Sequence, residues 1–126
     1  AERGMMVPVS VDVEAFRAAR MMDVDVVSNS WGFVQAQPVP LALAMGIREV
    51  ATQNRGGRGA LVLFASGNDG RVLGAGELYS LPEVITIGGV NPFDELAPFS
   101  NRGAEVDLVA PTGTFTTVLR AGAGAP

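Results

Sequence analysis

Hydrophobic residues in the first part of the chain repeat with the period of an α-helix. Between about Ser10 and Met22 they fall at positions i, i+3, i+4 and i+7, which places them along one side of a helix. The members of this stripe are Ala15, Ala18, Ala19 and Met22. Ser10 or Asp12 can cap the first turn, because its side-chain oxygen accepts a backbone N–H that the helix leaves free. We therefore predict a first helix over residues 10–22.

A strand and a second helix are predicted next. The segment from Val24 to Trp31 is rich in valine and partly alternates between apolar and polar residues, which indicates a β-strand. Pro38 and Pro40 allow a helix to begin after them, and Gly56-Gly57 ends it. The buried side of this helix would consist of Leu43, Ile47 and Val50.

Further apolar runs predict strands over Ala60–Ala65, Val84–Val90 and Asp107–Ala110. The first of these is apolar at every position, the pattern of a strand that is covered on both faces. Helices that alternate with strands indicate a parallel sheet. The predicted fold class is therefore α/β, a parallel β-sheet with helices on both faces.

Polar residues stand at the ends of the first two predicted strands. The segments are Ser28–Gly32 and Ser66–Gly70. The carboxyl ends of parallel strands meet at one edge of a sheet, and ligands bind there. Taken singly, each cluster has an ordinary explanation, since Gly67–Gly70 is a common turn sequence and Trp31 is a typical packing residue. Only their combination indicates a site.

The composition removes several kinds of chemistry. The 126 residues include no Cys and no His, and all nine basic residues are Arg. A thiol nucleophile, an imidazole or lysine base and the usual zinc ligands are thus excluded within this chain. The net charge of −4, with arginines scattered from Arg3 to Arg120, argues against a nucleic-acid partner. No apolar run approaches the roughly 20 residues that span a bilayer, so no membrane partner is expected.

The order of the motifs resembles the central part of the subtilisin-like serine proteases, the subtilases. The resemblance covers residues from about 10 to 112 and begins with a helix that ends at Met22-Asp23. Its five blocks are DVVSNSWG from Asp25, GALVLFASGN from Gly59, LPEVITIGGV from Leu81, APFSNRG from Ala97 and VDLVAP from Val106. Five blocks in the family's order are far more specific than any single motif.

The resemblance implies a serine endopeptidase that acts on peptide or protein substrates. Asn68 matches the asparagine whose carboxamide donates to the oxyanion of the tetrahedral intermediate. The segment Ser30-Trp31-Gly32 matches the substrate-binding strand, which pairs with an extended peptide. The sides and floor of the main specificity pocket match Ala65, Ser66, Gly67 and Gly76. With glycine at the floor, this pocket is expected to accept a large apolar or aromatic side chain.

The catalytic triad is expected to lie elsewhere in the polypeptide. The family's aspartate and histidine motifs precede the matched region, and its Gly-Thr-Ser motif follows it, whereas this chain has no histidine and no serine after Ser100. We therefore interpret residues 1–126 as the central part of one peptidase domain, with 121–126 as a linker or truncated loop. The chain alone is expected to be inactive, and its partners include the missing parts of its own catalytic domain.

Calcium and secretion are further expectations that rest on the resemblance. No cofactor is required for the chemistry, but subtilases often hold structural calcium, and Asp107 is a weak candidate ligand. A lone carboxylate at the start of a strand is more often solvated or a cap. Secretion is typical of the family, although no residue of the chain indicates it.

Two alternatives stay open. A serine-carboxyl peptidase of the sedolisin kind needs no histidine, but its acid pair lies one helical turn apart, and neither Glu14 nor Glu49 has an acidic partner four residues on. Its oxyanion donor is typically an aspartate, where this chain has Asn68. The other alternative is a subtilisin-like domain that has lost its triad and only binds peptides.

Overall fold

The computed structural model describes residues 7–33 and 35–113. The described elements are α1 (Val9–Met21), β1 (Val26–Asn29), α2 (Leu41–Gly57), β2 (Leu61–Ala65), a short 3₁₀ helix (Leu78–Ser80), β3 (Val84–Val90) and β4 (Leu108–Pro111). Helices alternate with strands as far as β3, as the sequence predicts, and β4 follows β3 without a helix between them; some bounds are shifted by a few residues. The predicted linker 121–126 lies outside the described residues.

The strands form one parallel sheet in the order β1-β2-β3-β4. Val62 of β2 pairs with Val27 on one side and with Val84 on the other, so these three side chains share a face. The predicted parallel α/β class is confirmed. β1 is shorter than predicted, because the chain leaves the sheet after Asn29. The segment Ser30-Trp31-Gly32 therefore extends beyond the sheet.

The face that carries Val62 and Phe64 forms the core. Both residues are almost fully buried, and they pack with the apolar sides of α1 and α2. The rings of Phe16 in α1 and Phe64 in β2 stack with their centroids 6.4 Å apart. Within the described residues, both α-helices lie on this face, which accounts for one of the two helical layers that the sequence predicts.

The end of α2 is an irregular turn that ties the helix to its neighbours. Asn54 and Arg55 have non-helical backbone angles, with a φ of 56° at Arg55. The fully buried carboxamide of Asn54 donates to the carbonyl oxygens of Ala19 and Val24, at 3.2 and 3.0 Å. These bonds fix the end of α2 against the turn between α1 and β1.

The buried ring of Phe64 should carry a large share of the packing energy. We expect Phe64→Ala to lower the free energy of unfolding of the full-length protein by about 3–5 kcal/mol, because a cavity would remain between sheet and helices. Denaturant unfolding measures this loss. The matched control is Phe93→Ala, at a side chain that is 82% exposed, which should change stability by less than about 0.5 kcal/mol. Equal losses in the two variants would contradict the assignment of the core.

Candidate functional site

The carboxyl ends of β1 and β2 bring the two predicted polar clusters together. Asn29, the last residue of β1, pairs with Phe64, so Ser30 leaves the sheet beside Ala65, the last residue of β2. β1 is an outer strand of the described sheet, and residues 30–32 belong to no strand. Their backbone therefore offers an open edge to which an extended chain could add.

Two clefts of the described structure meet at this edge. The first has a volume of about 320 Å³ and lies between the ends of β1, β2 and β3. The second has a volume of about 210 Å³ and lies between residues 30–33 and 65–69. The predicted site residues that line both clefts are Ser30, Ala65, Gly67 and Asn68. Ser66 lines the first cleft, and Trp31 and Gly32 line the second.

Asn68 stands where the two clefts meet. Its side chain is exposed, and among the described residues it takes part in no hydrogen bond. The preceding Gly67 has a φ of +98°, a left-handed conformation that an L side chain rarely adopts. The turn at Gly67 thus presents a carboxamide with free N–H groups to the rim of both clefts.

Trp31 both packs and lines a cleft. Its ring contacts Phe64 edge to face, with centroids 5.0 Å apart, and it is half-buried. Trp31 can therefore stabilise the core and form part of the cleft wall at the same time.

Tyr79, and not Gly76, contributes to the second cleft. Tyr79 is 6% exposed, and a Cβ on Gly32 would overlap its hydroxyl group. Gly76 lines neither cleft; its N–H donates to the Ser80 hydroxyl at 2.9 Å in the turn before the 3₁₀ helix. The assignment of Gly76 to the pocket floor therefore stays a prediction, and Tyr79 is the residue of this loop that reaches Gly32.

A partly buried ion pair holds the loop that carries Tyr79. The guanidinium of Arg71 donates two hydrogen bonds to the carboxylate of Glu77, at 2.9 and 2.6 Å. The Gly74 N–H donates to the same carboxylate at 2.7 Å. The hydrogen bond with Arg71 lowers the pKa of Glu77 and raises that of Arg71, so both groups stay charged near neutral pH. Burial raises the pKa of Tyr79, which stays a neutral phenol.

Asp107 lies away from the clefts. One of its carboxylate oxygens accepts the Thr86 N–H at 2.8 Å, and its own N–H donates to the Thr86 carbonyl at 3.0 Å. It therefore acts as a cap at the start of β4. Residues 7–33 and 35–113 contain no group of three or more carboxylates that could hold a metal ion. The described residues at Asp107 do not make a calcium cage, and calcium binding stays a prediction.

Several residues in and behind the first cleft are not predicted from the sequence. Phe99, Ser100 and Thr112 line it, and the buried Asn101 bonds to the loop that carries Asn68. A signal for three of them is present, since Phe99, Ser100 and Asn101 belong to the block APFSNRG. No local pattern marks Tyr79.

The family model of the Subtilase family matches residues 5–124 of the chain. The chain belongs to the subtilase family. A curated relative is the "Major intracellular serine protease" of Bacillus subtilis (strain 168), 40% identical over 55% of this chain and 23% of its own length. Another is the "Extracellular basic protease" of Dichelobacter nodosus, 34% identical over 54% of this chain and 11% of its own length.

Solved structures show the same fold. The prenylagaramide maturation protease PagA superposes with a TM-score of 0.70 at 21% identity, over 88% of this chain and 39% of that one. A cold adapted subtilisin-like serine proteinase superposes with a TM-score of 0.68 at 21% identity, over 84% of this chain and 36% of that one. This subtilase chain thus spans less than half of those structures and less than a quarter of the two curated relatives.

Neither the localisation nor the lack of a nucleic-acid partner is tested by these similarities. The relatives include an intracellular and an extracellular protease, so secretion stays a prediction. Neither helix in the described part of this subtilase chain is long and apolar enough to cross a bilayer. The expected lack of a nucleic-acid partner also stays a prediction.

The ion pair of Glu77 makes stability depend on pH in a defined direction. Because the folded pKa of Glu77 is lowered from 4.5, its carboxylate stabilises the fold above pH 4.5 and loses that effect as pH falls through the folded pKa. We expect Glu77→Gln to lower the free energy of unfolding by about 2 kcal/mol at pH 7. The gap to wild type should close below pH 4.5.

Unfolding of the full-length protein at several pH values measures this gap. The matched control is Glu14→Gln, which removes an ion pair to Arg17 whose two side chains are 64% and 67% exposed. That variant should differ from wild type by less than about 1 kcal/mol at every pH. A gap for Glu77→Gln that stays constant down to pH 2 would contradict the role of the ion pair.

Proposed function

We propose that the full-length protein is a serine endopeptidase of subtilisin type, and that this chain supplies its oxyanion donor and much of its substrate cleft. Family membership supports the class of reaction. The observation that carries the assignment is the exposed carboxamide of Asn68, which stands at the junction of two clefts beside an open strand edge.

The open edge at Ser30-Trp31-Gly32 is the proposed place for the substrate backbone. An extended peptide that adds to this edge would be held by main-chain hydrogen bonds, which need no particular sequence. One substrate side chain would then enter the second cleft, between residues 30–33 and 65–69. The scissile carbonyl would follow that side chain and reach the rim at Asn68.

Asn68 is proposed to act on the transition state. When a serine oxygen attacks the carbonyl carbon, the carbonyl π electrons move to the oxygen, which becomes an oxyanion. The Asn68 carboxamide would donate an N–H to that oxygen. The charge exists only after attack begins, so a fixed donor lowers the barrier more than it strengthens substrate binding.

The serine nucleophile and its base must come from outside residues 1–126. Serine is a weak nucleophile until a base such as histidine accepts its proton, and this chain has no histidine. We propose that the triad is supplied by other segments of the full-length protein.

The second face of the sheet supports that proposal. Leu61 of β2, Val26 of β1 and Leu108 of β4 are between 52% and 58% exposed, although strands in a parallel sheet are normally covered on both faces. Val26 pairs directly with Leu61. Leu108 is on the same face of the sheet, because its partner Ile87 pairs with Ala65, four residues after Leu61 in β2. We propose that further parts of the same catalytic domain cover this apolar face.

Tyr79 is proposed to limit the size of the substrate side chain in the second cleft. Its phenol reaches Gly32 and so bridges the two walls of the cleft. Trp31 and Phe33 add apolar surface, and Asp69 is the only charged residue in the lining. This arrangement favours an apolar side chain of moderate size over the large apolar or aromatic side chain expected from the sequence.

Removal of the Asn68 carboxamide tests the proposed function. We expect Asn68→Ala in the full-length protein to lower kcat by about 10²–10³-fold with little change in KM, a magnitude taken over from subtilisin, where such a donor has been removed. Steady-state hydrolysis of a chromogenic peptide measures both constants. Asn91→Ala is the matched control, because Asn91 lines neither cleft and bonds only within its own loop.

Wild-type turnover in Asn68→Ala would remove Asn68 from the mechanism. A full-length protein that binds peptides but never cleaves them would instead favour the alternative of a binding module without a triad.

Truncation of Tyr79 tests the specificity proposal. Tyr79→Ala should extend the second cleft, so the ratio of kcat/KM for a substrate with phenylalanine before the scissile bond to that for one with leucine should rise about tenfold or more. The ratio is independent of how much enzyme is folded. Phe93→Ala, outside both clefts, should leave it unchanged. An unchanged ratio in Tyr79→Ala would show that Tyr79 does not limit the cleft.

A further inference from the structure

We propose that Asn101 is a positioning residue that sets the location of the Asn68 carboxamide. The inference rests on the proposed role of Asn68 as oxyanion donor. It assigns no contact with substrate to Asn101 itself, which is 1% exposed.

The side chain of Asn101 holds the loop on both sides of Asn68. Its Oδ1 accepts the N–H groups of Asp69 and Arg71, each at 3.1 Å. Its Nδ2 donates to the carbonyl of Ser66 at 2.8 Å and to the carboxylate of Asp69 at 3.4 Å. One buried carboxamide therefore fixes the loop before and after Asn68, and all of its bonding groups point at that loop.

The backbone around Asn101 reinforces this connection. Its N–H donates to the carbonyl of Gly67 at 3.0 Å, and the Gly70 N–H donates to the carbonyl of Phe99 at 2.8 Å. The loop over residues 66–71 thus lies along the segment 99–102. A shift of Asn101 would be transmitted to the backbone of Asn68 from both directions.

Close packing leaves the loop little freedom to adjust. A Cβ on Gly67 would lie 2.6 Å from Nδ2 of Asn101, so the backbone rests directly on the carboxamide. Among the described residues, the Asn68 side chain makes no hydrogen bond that could hold its carboxamide in position if the backbone moved. The position of its carboxamide therefore follows the backbone, and the backbone follows Asn101.

Asn101→Asp is the most specific substitution, because it keeps the shape of the side chain and replaces only the donor Nδ2 by an oxygen. That oxygen would face the Ser66 carbonyl and the Asp69 carboxylate, which repel it. The loop should move away from residue 101 and displace the oxyanion donor. A displacement of about 1 Å can cost on the order of a hundredfold in rate.

The test is a double-mutant cycle in the full-length protein, with kcat and KM measured for wild type, Asn68→Ala, Asn101→Asp and the double variant. We expect Asn101→Asp to lower kcat at least about tenfold with KM nearly unchanged. In the Asn68→Ala background the same change should lower kcat less than about twofold, because the donor it displaces is already absent.

Asn54→Asp is the matched control. Asn54 is also fully buried and also donates to two backbone carbonyls, but it lies at the end of α2 and lines neither cleft. It should lower the melting temperature while wild-type kcat is retained at a temperature where the variant is folded. An equal loss of kcat in Asn54→Asp would overturn the proposal, since destabilisation alone would then explain the effect.

The remaining outcomes are also decisive. Wild-type kcat in Asn101→Asp, or an equal fold loss in both backgrounds, would overturn the positioning role while Asn68 keeps its own. Wild-type kcat in Asn68→Ala would instead refute the proposed function. If Asn101→Asp does not fold, Asn101→Ala takes its place in the cycle and is judged by the same coupling, since it removes the side-chain bonds without burying a charge.

Discussion

The parallel pairing of β1, β2 and β3 is the constraint on which the site depends. Val62 pairs with Val27 and with Val84, and this register carries through to the strand ends, where Asn29 lies beside Phe64 and Ala65 beside Ile87. Because a slip of one residue would send every side chain to the opposite face, the buried side of the sheet fixes the register firmly. The chain segments that follow the strands therefore meet at one edge.

Packing under the sheet extends this constraint to the cleft. Phe64 stacks on Phe16 of α1 and also contacts the Trp31 ring in an edge-to-face arrangement. A single buried ring thus joins the helical layer, the central strand and the segment proposed to bind substrate. Loss of that ring would loosen the core and the cleft wall together, so stability and the shape of the site are coupled through Phe64.

The sequence predicts the strands and the loops that follow them, because a local pattern of residues marks each of these. The apolar run Ala60–Ala65 and the glycine-rich ending of Ser66–Gly70 place β2 and its following loop, and parallel order then places both polar clusters at one edge. The roles of Asn101 and Tyr79 depend on contacts between distant parts of the chain, which no periodicity records. Asn101 reaches a loop that is 30 to 35 residues earlier in the sequence.

The same limit applies at Gly76. A glycine in a turn has the same local signature whether the turn lines a cleft or lies behind it, and here a hydrogen bond to Ser80 closes the turn away from the cleft. The 3₁₀ helix after it then carries Tyr79 to Gly32. Which residue meets the opposite wall is decided by three-dimensional packing that the spacing alone does not encode.

The donor that we propose, the carboxamide of Asn68, is a neutral group. Among the described residues no charged side chain lines the first cleft, Asp69 lines the second, and the guanidinium of Arg71 is paired with the carboxylate of Glu77. A cation at the rim would attract any anion, including the carboxylate of a cleaved product, and would do so before and after the reaction as well as during it. A carboxamide interacts weakly with a neutral peptide and strongly with an oxyanion, so its effect is concentrated in the transition state. If Asn68 has the proposed role, its neutral carboxamide would therefore act mainly on the transition state and would not hold an anionic product.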